Sequence, residues 1–195
     1  MAGKGSLRYT ADMRTLAGAV AATALVLTAC GHHESPAAKR DGDTATETSD
    51  LLPVGAPAPD FTVVAHDGDT VQLAKLKGRY VVLYFYPRDD TPGCTKEACE
   101  FRDAWGDLTK AGVAVFGVST QDVASHQAFA QKYNLPFPLL PDGDGAIAAK
   151  YHVRVFLGMA KRVTYLIGPD GRIAHVWPAV KPIGHAADIL KTVRG

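Results

Sequence analysis

Apolar residues gather along this chain in short blocks whose spacing changes from region to region. Residues 80–86 (YVVLYFY) form an unbroken β-branched and aromatic run, the pattern of a strand buried on both faces. Residues 113–118 (VAVFGV) form a second. Two shorter runs, 60–64 and 70–73, flank His66-Asp67-Gly68-Asp69, a hairpin signal with glycine at the turn. Likewise 162–167 and 172–177 flank Gly168-Pro169-Asp170-Gly171 and predict an antiparallel hairpin. Helical patterns occupy 122–133, 146–151 and 185–193. A further helix follows the first buried run. Proline closes that run at Tyr86-Pro87, and Thr91 with Pro92 reads as an N-cap and first helical residue. From there Cys94, Ala98, Phe101, Trp105 and Leu108 recur at helical spacing and mark one buried face.

The order is hairpin, strand, helix, strand, helix, then hairpin and helix. A βαβ half followed by an antiparallel ββα half predicts an α/β, thioredoxin-like fold with a central mixed sheet flanked by helices and an added N-terminal β-hairpin. Another α/β sandwich would satisfy the same pattern. Residues 51–195, roughly 145 of them, fit one domain with a sizeable core.

Before residue 51 the pattern differs. Lys4, Arg8 and Arg14 precede a 14-residue apolar stretch, 16–29, short for a bilayer span but suited to an export signal. Residues 31–50 hold no large apolar side chain and are expected to remain a disordered tether. Leu27-Thr28-Ala29-Cys30-Gly31 resembles the lipobox of bacterial lipoproteins. That resemblance implies cleavage before Cys30, acylation of its thiol, and a domain anchored at the extracytoplasmic face of a bacterial membrane. An ordinary cleavage site with a chance cysteine is the alternative. His32-His33 is read as tether, not as a metal-binding tract.

A net charge of +1 leaves no basic excess of the kind nucleic acid requires. With Cys30 acylated, only Cys94 and Cys99 of the three cysteines remain thiols, in a compartment that permits disulfides. Four residues separate them, neither a thioredoxin-like C-x-x-C nor a zinc-ribbon spacing. Cys94 falls in the first turn of its helix, where free N–H groups and the positive end of the macrodipole stabilise an anion. The thiolate is the nucleophilic form of cysteine, and Gly93 leaves a small substrate room to reach the backbone. A buried cysteine can also be a mere small hydrophobe. Helix start, adjacent glycine and second thiol favour the reactive reading.

Residues 86–103, YPRDDTPGCTKEACEFRD, closely resemble the active-site segment of the peroxiredoxins. Pro87, Thr91 and Cys94 match the family's P-x-x-x-T/S-x-x-C signature, and Cys99 matches the bacterioferritin-comigratory-protein or PrxQ subfamily. APAPDF, LPFPLLPDGDG and RVTYLIGPDGRI extend the resemblance over most of residues 51–195. It implies a thioredoxin-dependent thiol peroxidase that needs no metal or organic cofactor. By that resemblance Cys94 attacks the O–O bond of a hydroperoxide and becomes a sulfenic acid. Thr91 and the amides of Gly93 and Cys94 contact the substrate oxygens, Pro87 shields the thiolate, and Arg162 supplies a guanidinium. Cys99 then resolves the sulfenic acid as a Cys94–Cys99 disulfide, which a thioredoxin-like protein reduces; the subfamily implies a monomer. Gln121 stands where relatives commonly carry aspartate, with no catalytic group lost.

On an ideal helix, residues five apart lie about 8.7 Å apart between Cα atoms, whereas a disulfide needs about 7 Å or less. The implied bond therefore requires the helix to unwind between Cys94 and Cys99. Asp89-Asp90 is expected as a solvated turn, and residues 142–145 as a turn without the final glutamate of a calcium loop. Two rival functions are a thiol–disulfide oxidoreductase, disfavoured by the missing C-x-x-C, and a metal-delivery lipoprotein. The latter would draw on His126, His152, His175 or His185, none at a ligand-pair spacing with the cysteines.

Overall fold

The computed structural model describes residues 50–195. The export-like segment, Cys30 and the tether up to residue 49 lie outside the described residues.

Both continuous apolar runs are central strands. β3 (Tyr80–Phe85) pairs in parallel with β4 (Val113–Ser119) on one side and antiparallel with β8 (Val163–Ile167) on the other. β5 (Leu139–Pro141) and β9 (Ile173–Trp177) are the edges, giving the order β5-β4-β3-β8-β9. The N-terminal hairpin forms as expected from β1 (Thr62–Val64) and β2 (Thr70–Gln72), paired antiparallel. A second small hairpin, β6 (Val155–Phe156) and β7 (Met159–Ala160), lies outside the sequence expectation; two-residue strands carry no period. β5 was equally hidden, because Pro136, Pro138 and Pro141 interrupt its run, and an edge position is where proline is tolerated.

Alternation along β3 sorts the core into two layers. Val81, Leu83 and Phe85 face one side with the hairpin residues Ala65 and Val71 and with Ile147 of α4 (Ala146–Lys150). Val82, Tyr84 and Tyr86 face the other, against α1 (Pro92–Asp103), α2 (Trp105–Lys110), α3 (Val123–Tyr133) and α5 (His185–Arg194). Helices thus cover both faces. The apolar stripe from Cys94 to Leu108 is one face, but not one helix: the backbone breaks at Ala104 (φ −87°, ψ 1°), and Trp105 opens α2. Phe101 is fully buried, its ring 4.8 Å from that of Tyr84, and fastens α1 to the sheet. Gly117 allows the closest crossing, since a Cβ there would fall 2.6 Å from the Tyr84 hydroxyl. In the 142–145 turn the Asp142 carboxylate accepts from the amides of Ile147 and Ala148, capping α4.

Candidate active site

Where β3 ends, the chain turns into the loop that leads to α1. The Tyr86 amide still donates to Val118 O (3.1 Å), while its hydroxyl donates to Asp89 Oδ1 (2.7 Å). Asp89 Oδ2 receives the Ser125 hydroxyl (2.7 Å) and lies 2.8 Å from His126 Nδ1. The expected solvated turn is therefore corrected at Asp89, which is buried among partners from α3. Burial alone would raise its carboxyl, but His126, Ser125 and Tyr86 outweigh that and hold it below the usual carboxylate range. Asp90 does stay at the surface, bound by Lys132 and the Tyr133 hydroxyl. Both carboxylates thus pin the loop to α3, a long-range pairing with no local signature.

Thr91 occupies the N-cap position, yet its hydroxyl donates backwards to Arg88 O (3.0 Å) and does not cap the helix. The first helical bond runs from Thr95 N to Thr91 O (2.8 Å), so the amides of Gly93 and Cys94 have no partner within α1. Cys94 lies in this first turn and is buried. Arg162, immediately before β8, donates from Nη2 to Cys94 Sγ at 3.1 Å. A Cβ on Gly93 would sit 3.4 Å from that Nη2, so the bare glycine keeps the approach to sulfur and guanidinium open. Pro87 is half-buried in the same loop.

Glu97 completes the arrangement and was missed in the sequence. Its side chain is wholly buried; Oε2 accepts from Arg162 Nη1, and Oε1 has no hydrogen-bond partner among the described residues. Burial pushes this carboxyl up to about 7, against the pull of Arg162. The signal was present: Glu97 is three residues from Cys94 and four from Phe101, on the apolar stripe itself. A carboxylate there needs a cation, and that cation is Arg162. One turn on, both Glu100 oxygens accept from Gly184 N (2.8 and 2.7 Å). Cys99 is partly buried, and both thiols are free.

The structure thus brings Cys94, Gly93 and Arg162 together, with Thr91 and Pro87 in the preceding loop and Cys99 on the same helix. A thiolate here meets a guanidinium and two amides without a partner in α1, which suits attack on a small electrophile that develops negative charge. Of the histidines raised as rival ligands, His126 is held by Asp89 and His152 Nδ1 lies 2.7 Å from Asp50 O. His185 sits 2.9 Å from the Thr164 hydroxyl, and burial pulls it down to about 4. A cleft of about 330 Å³ lined by Leu73, Leu76, Val81 and Ile167 lies at the opposite end of the sheet.

The AhpC/TSA family model matches residues 54–176. A Coxiella burnetii protein assigned as a bcp-type peroxiredoxin is 50% identical over 147 residues, 71% of this chain and 97% of its own length. The chain belongs to the AhpC/TSA peroxiredoxins. Among solved structures, the peroxidoxin BcpB of Mycobacterium tuberculosis superposes with a TM-score of 0.69 at 35% identity, covering 73% of this chain and 97% of that one. The Xanthomonas campestris bacterioferritin comigratory protein, studied in trapped intermediate and ligand complexes for its alkyl peroxide reduction, gives 0.67 at 32% identity, covering 73% and 98%. This peroxiredoxin accordingly has the thioredoxin-like fold read from its strand order, and it is a thiol peroxidase of the bacterioferritin-comigratory-protein type.

Proposed function

We propose that the chain reduces hydrogen peroxide and organic hydroperoxides as a monomer, with Cys94 as the attacking and Cys99 as the resolving thiol. The observation that carries this is the Arg162 guanidinium on Cys94 Sγ, at the head of a helix whose first amides have no partner within α1. The alkyl peroxide reduction studied in the Xanthomonas campestris relative supports the same substrate class.

In the first step the Cys94 thiolate attacks the terminal oxygen of ROOH. The S–O bond forms, the O–O bond breaks, and RO⁻ leaves as ROH after taking up a proton. Arg162 and the Gly93 and Cys94 amides hold the charge as it moves onto oxygen. Because the Thr91 hydrogen is committed to Arg88 O, its oxygen is left to accept from the peroxide O–H. Pro87 shields the sulfur from bulk water. In the second step the Cys99 thiol condenses with the Cys94 sulfenic acid, releasing water and forming the disulfide. A thioredoxin-like dithiol restores both thiols. Titrating the reduced protein with hydrogen peroxide in the presence of a chelator tests this. One equivalent should convert one Cys94–Cys99 pair to a disulfide seen by peptide mass, and unreacted thiols would overturn it.

The same reading divides the chain into a signal peptide (1–29), a tether acylated at Cys30 (30–50) and the catalytic domain (51–195) on the outer face of a bacterial membrane. The lipobox-like LTACG supports it. Metabolic labelling with a fatty acid should mark the wild type and not Cys30→Ala. Two unlabelled, soluble forms would return Cys30 to an ordinary residue.

A further inference from the structure

The β6–β7 hairpin ends two residues before Arg162, and its outward side chains are apolar. Phe156 is 60% exposed and Leu157 80%, with Val155 and Met159 exposed beside them. Leu157 and Gly158 have φ of 49° and 71°. Two positive φ values at the centre of a two-residue turn follow the type I′ pattern, which asparagine and glycine fill readily. A leucine there is unfavourable in backbone conformation, and here it is also held out in water. Neither feature helps the isolated domain fold.

The tip shares one end of the domain with the active site. The Thr120 hydroxyl donates to Gly158 O, which fixes the turn at the C-terminal end of β4. β3 runs parallel to β4, so α1 and Cys94 begin at that same end. Ile183, 70% exposed, follows Pro182, which packs toward Gly93. The described chain also starts here: Asp50 O meets His152, three residues before Val155, or about 10 Å of extended chain. Arg154 lies 5.5 Å from the Phe156 ring. An exposed apolar tip beside the start of an anchored chain suits the interface of a bilayer.

We propose that the Phe156-Leu157 tip enters the lipid leaflet that holds the tether, and so presents Cys94 to hydroperoxides carried on phospholipid acyl chains. This rests on the reading of residues 30–50 as an anchored tether. An anchor ahead of the domain raises its effective concentration at the membrane surface. A small apolar tip then suffices to orient it. The chemistry is that of the first step above: the acyl hydroperoxide loses its terminal oxygen to Cys94, and the acyl alcohol stays in the membrane.

The test uses the full chain with an N-terminal hexahistidine tag on phosphatidylglycerol vesicles containing nickel-chelating lipid, so that anchoring does not depend on Cys30. Acyl-brominated lipid should quench added fluorescence from Leu157→Trp, measured against the wild type. Phe156→Ser with Leu157→Ser should slow turnover of a phospholipid hydroperoxide about tenfold and leave hydrogen peroxide turnover unchanged. Absent quenching, or equal rates on the lipid substrate, would overturn the proposal. So would a dimer in sedimentation that the double substitution dissolves, which assigns the tip to a second copy. A defect confined to recycling by the dithiol reductant would assign it to that protein instead. Fatty-acid labelling at Cys30 is read separately, so loss of the anchor reading and loss of the tip's role remain distinguishable.

Discussion

A Cys94→Ser variant consumes hydroperoxide no faster than the uncatalysed reaction. Serine keeps the size of the side chain, so the fold survives; what disappears is the nucleophile. A hydroxyl is a far weaker nucleophile than a thiol, and it leaves no sulfur for Arg162 and the helix start to hold in place for attack. Among the described residues no other thiol can replace it, because Cys99 lies five residues on and makes no bond to that guanidinium. Peroxide consumption is measured with the dithiol reductant present, and circular dichroism confirms the fold. Retained turnover in a folded variant would remove Cys94 from the reaction.

Arg162→Ala has the second largest effect, a fall of about 10² to 10³ in the rate of the first oxidation, the range seen when one donor to a developing oxyanion is removed. The substitution also strands Glu97, whose ionised carboxylate loses the cation that Arg162 supplies. A buried charge left alone destabilises by roughly 3–5 kcal/mol. Glu97 is already pushed up to about 7 by burial, so it takes up a proton instead. Its folded value then lies above the unfolded one. Stability in the variant is therefore full below the unfolded carboxyl value near 4.5 and declines as pH rises through about 7 and beyond. Thermal unfolding should show the variant close to wild type at pH 5 and clearly weaker at pH 8. Rates taken near pH 6 separate the loss of chemistry from the loss of fold. An unchanged oxidation rate there would make Arg162 a residue of the strand edge and no more.

The sheet and the site were legible to different depths. YVVLYFY and VAVFGV read as central strands because burial on both faces leaves no polar position in them. The position of Cys94 followed from Thr91-Pro92, since helix starts are local events. Asp89 was misread because its partners come from α3, nearly forty residues away, and no window of sequence contains both. Glu97 was readable, as a carboxylate on the apolar stripe, but only to a reader who asked what would neutralise it. Leu157 was invisible for another reason: the turn that lifts it into water exists only once β6 and β7 pair.

The first turn of α1 must exist for Cys94 to attack and must open for Cys99 to answer. In the reduced form α1 is continuous from Pro92 to Asp103, with Glu97 on Arg162, Glu100 on Gly184 and Phe101 in the core. Residues five apart on such a helix are beyond the span of a disulfide. Opening exposes Ala98 and unmakes the Glu97 contact, a loss that formation of the bond offsets. Amide hydrogen exchange on the reduced and peroxide-oxidised proteins measures this directly. Residues 95–101 should be protected in the reduced protein and fast in the oxidised one; equal protection in both, with the Cys94–Cys99 disulfide confirmed by mass, would contradict the mechanism.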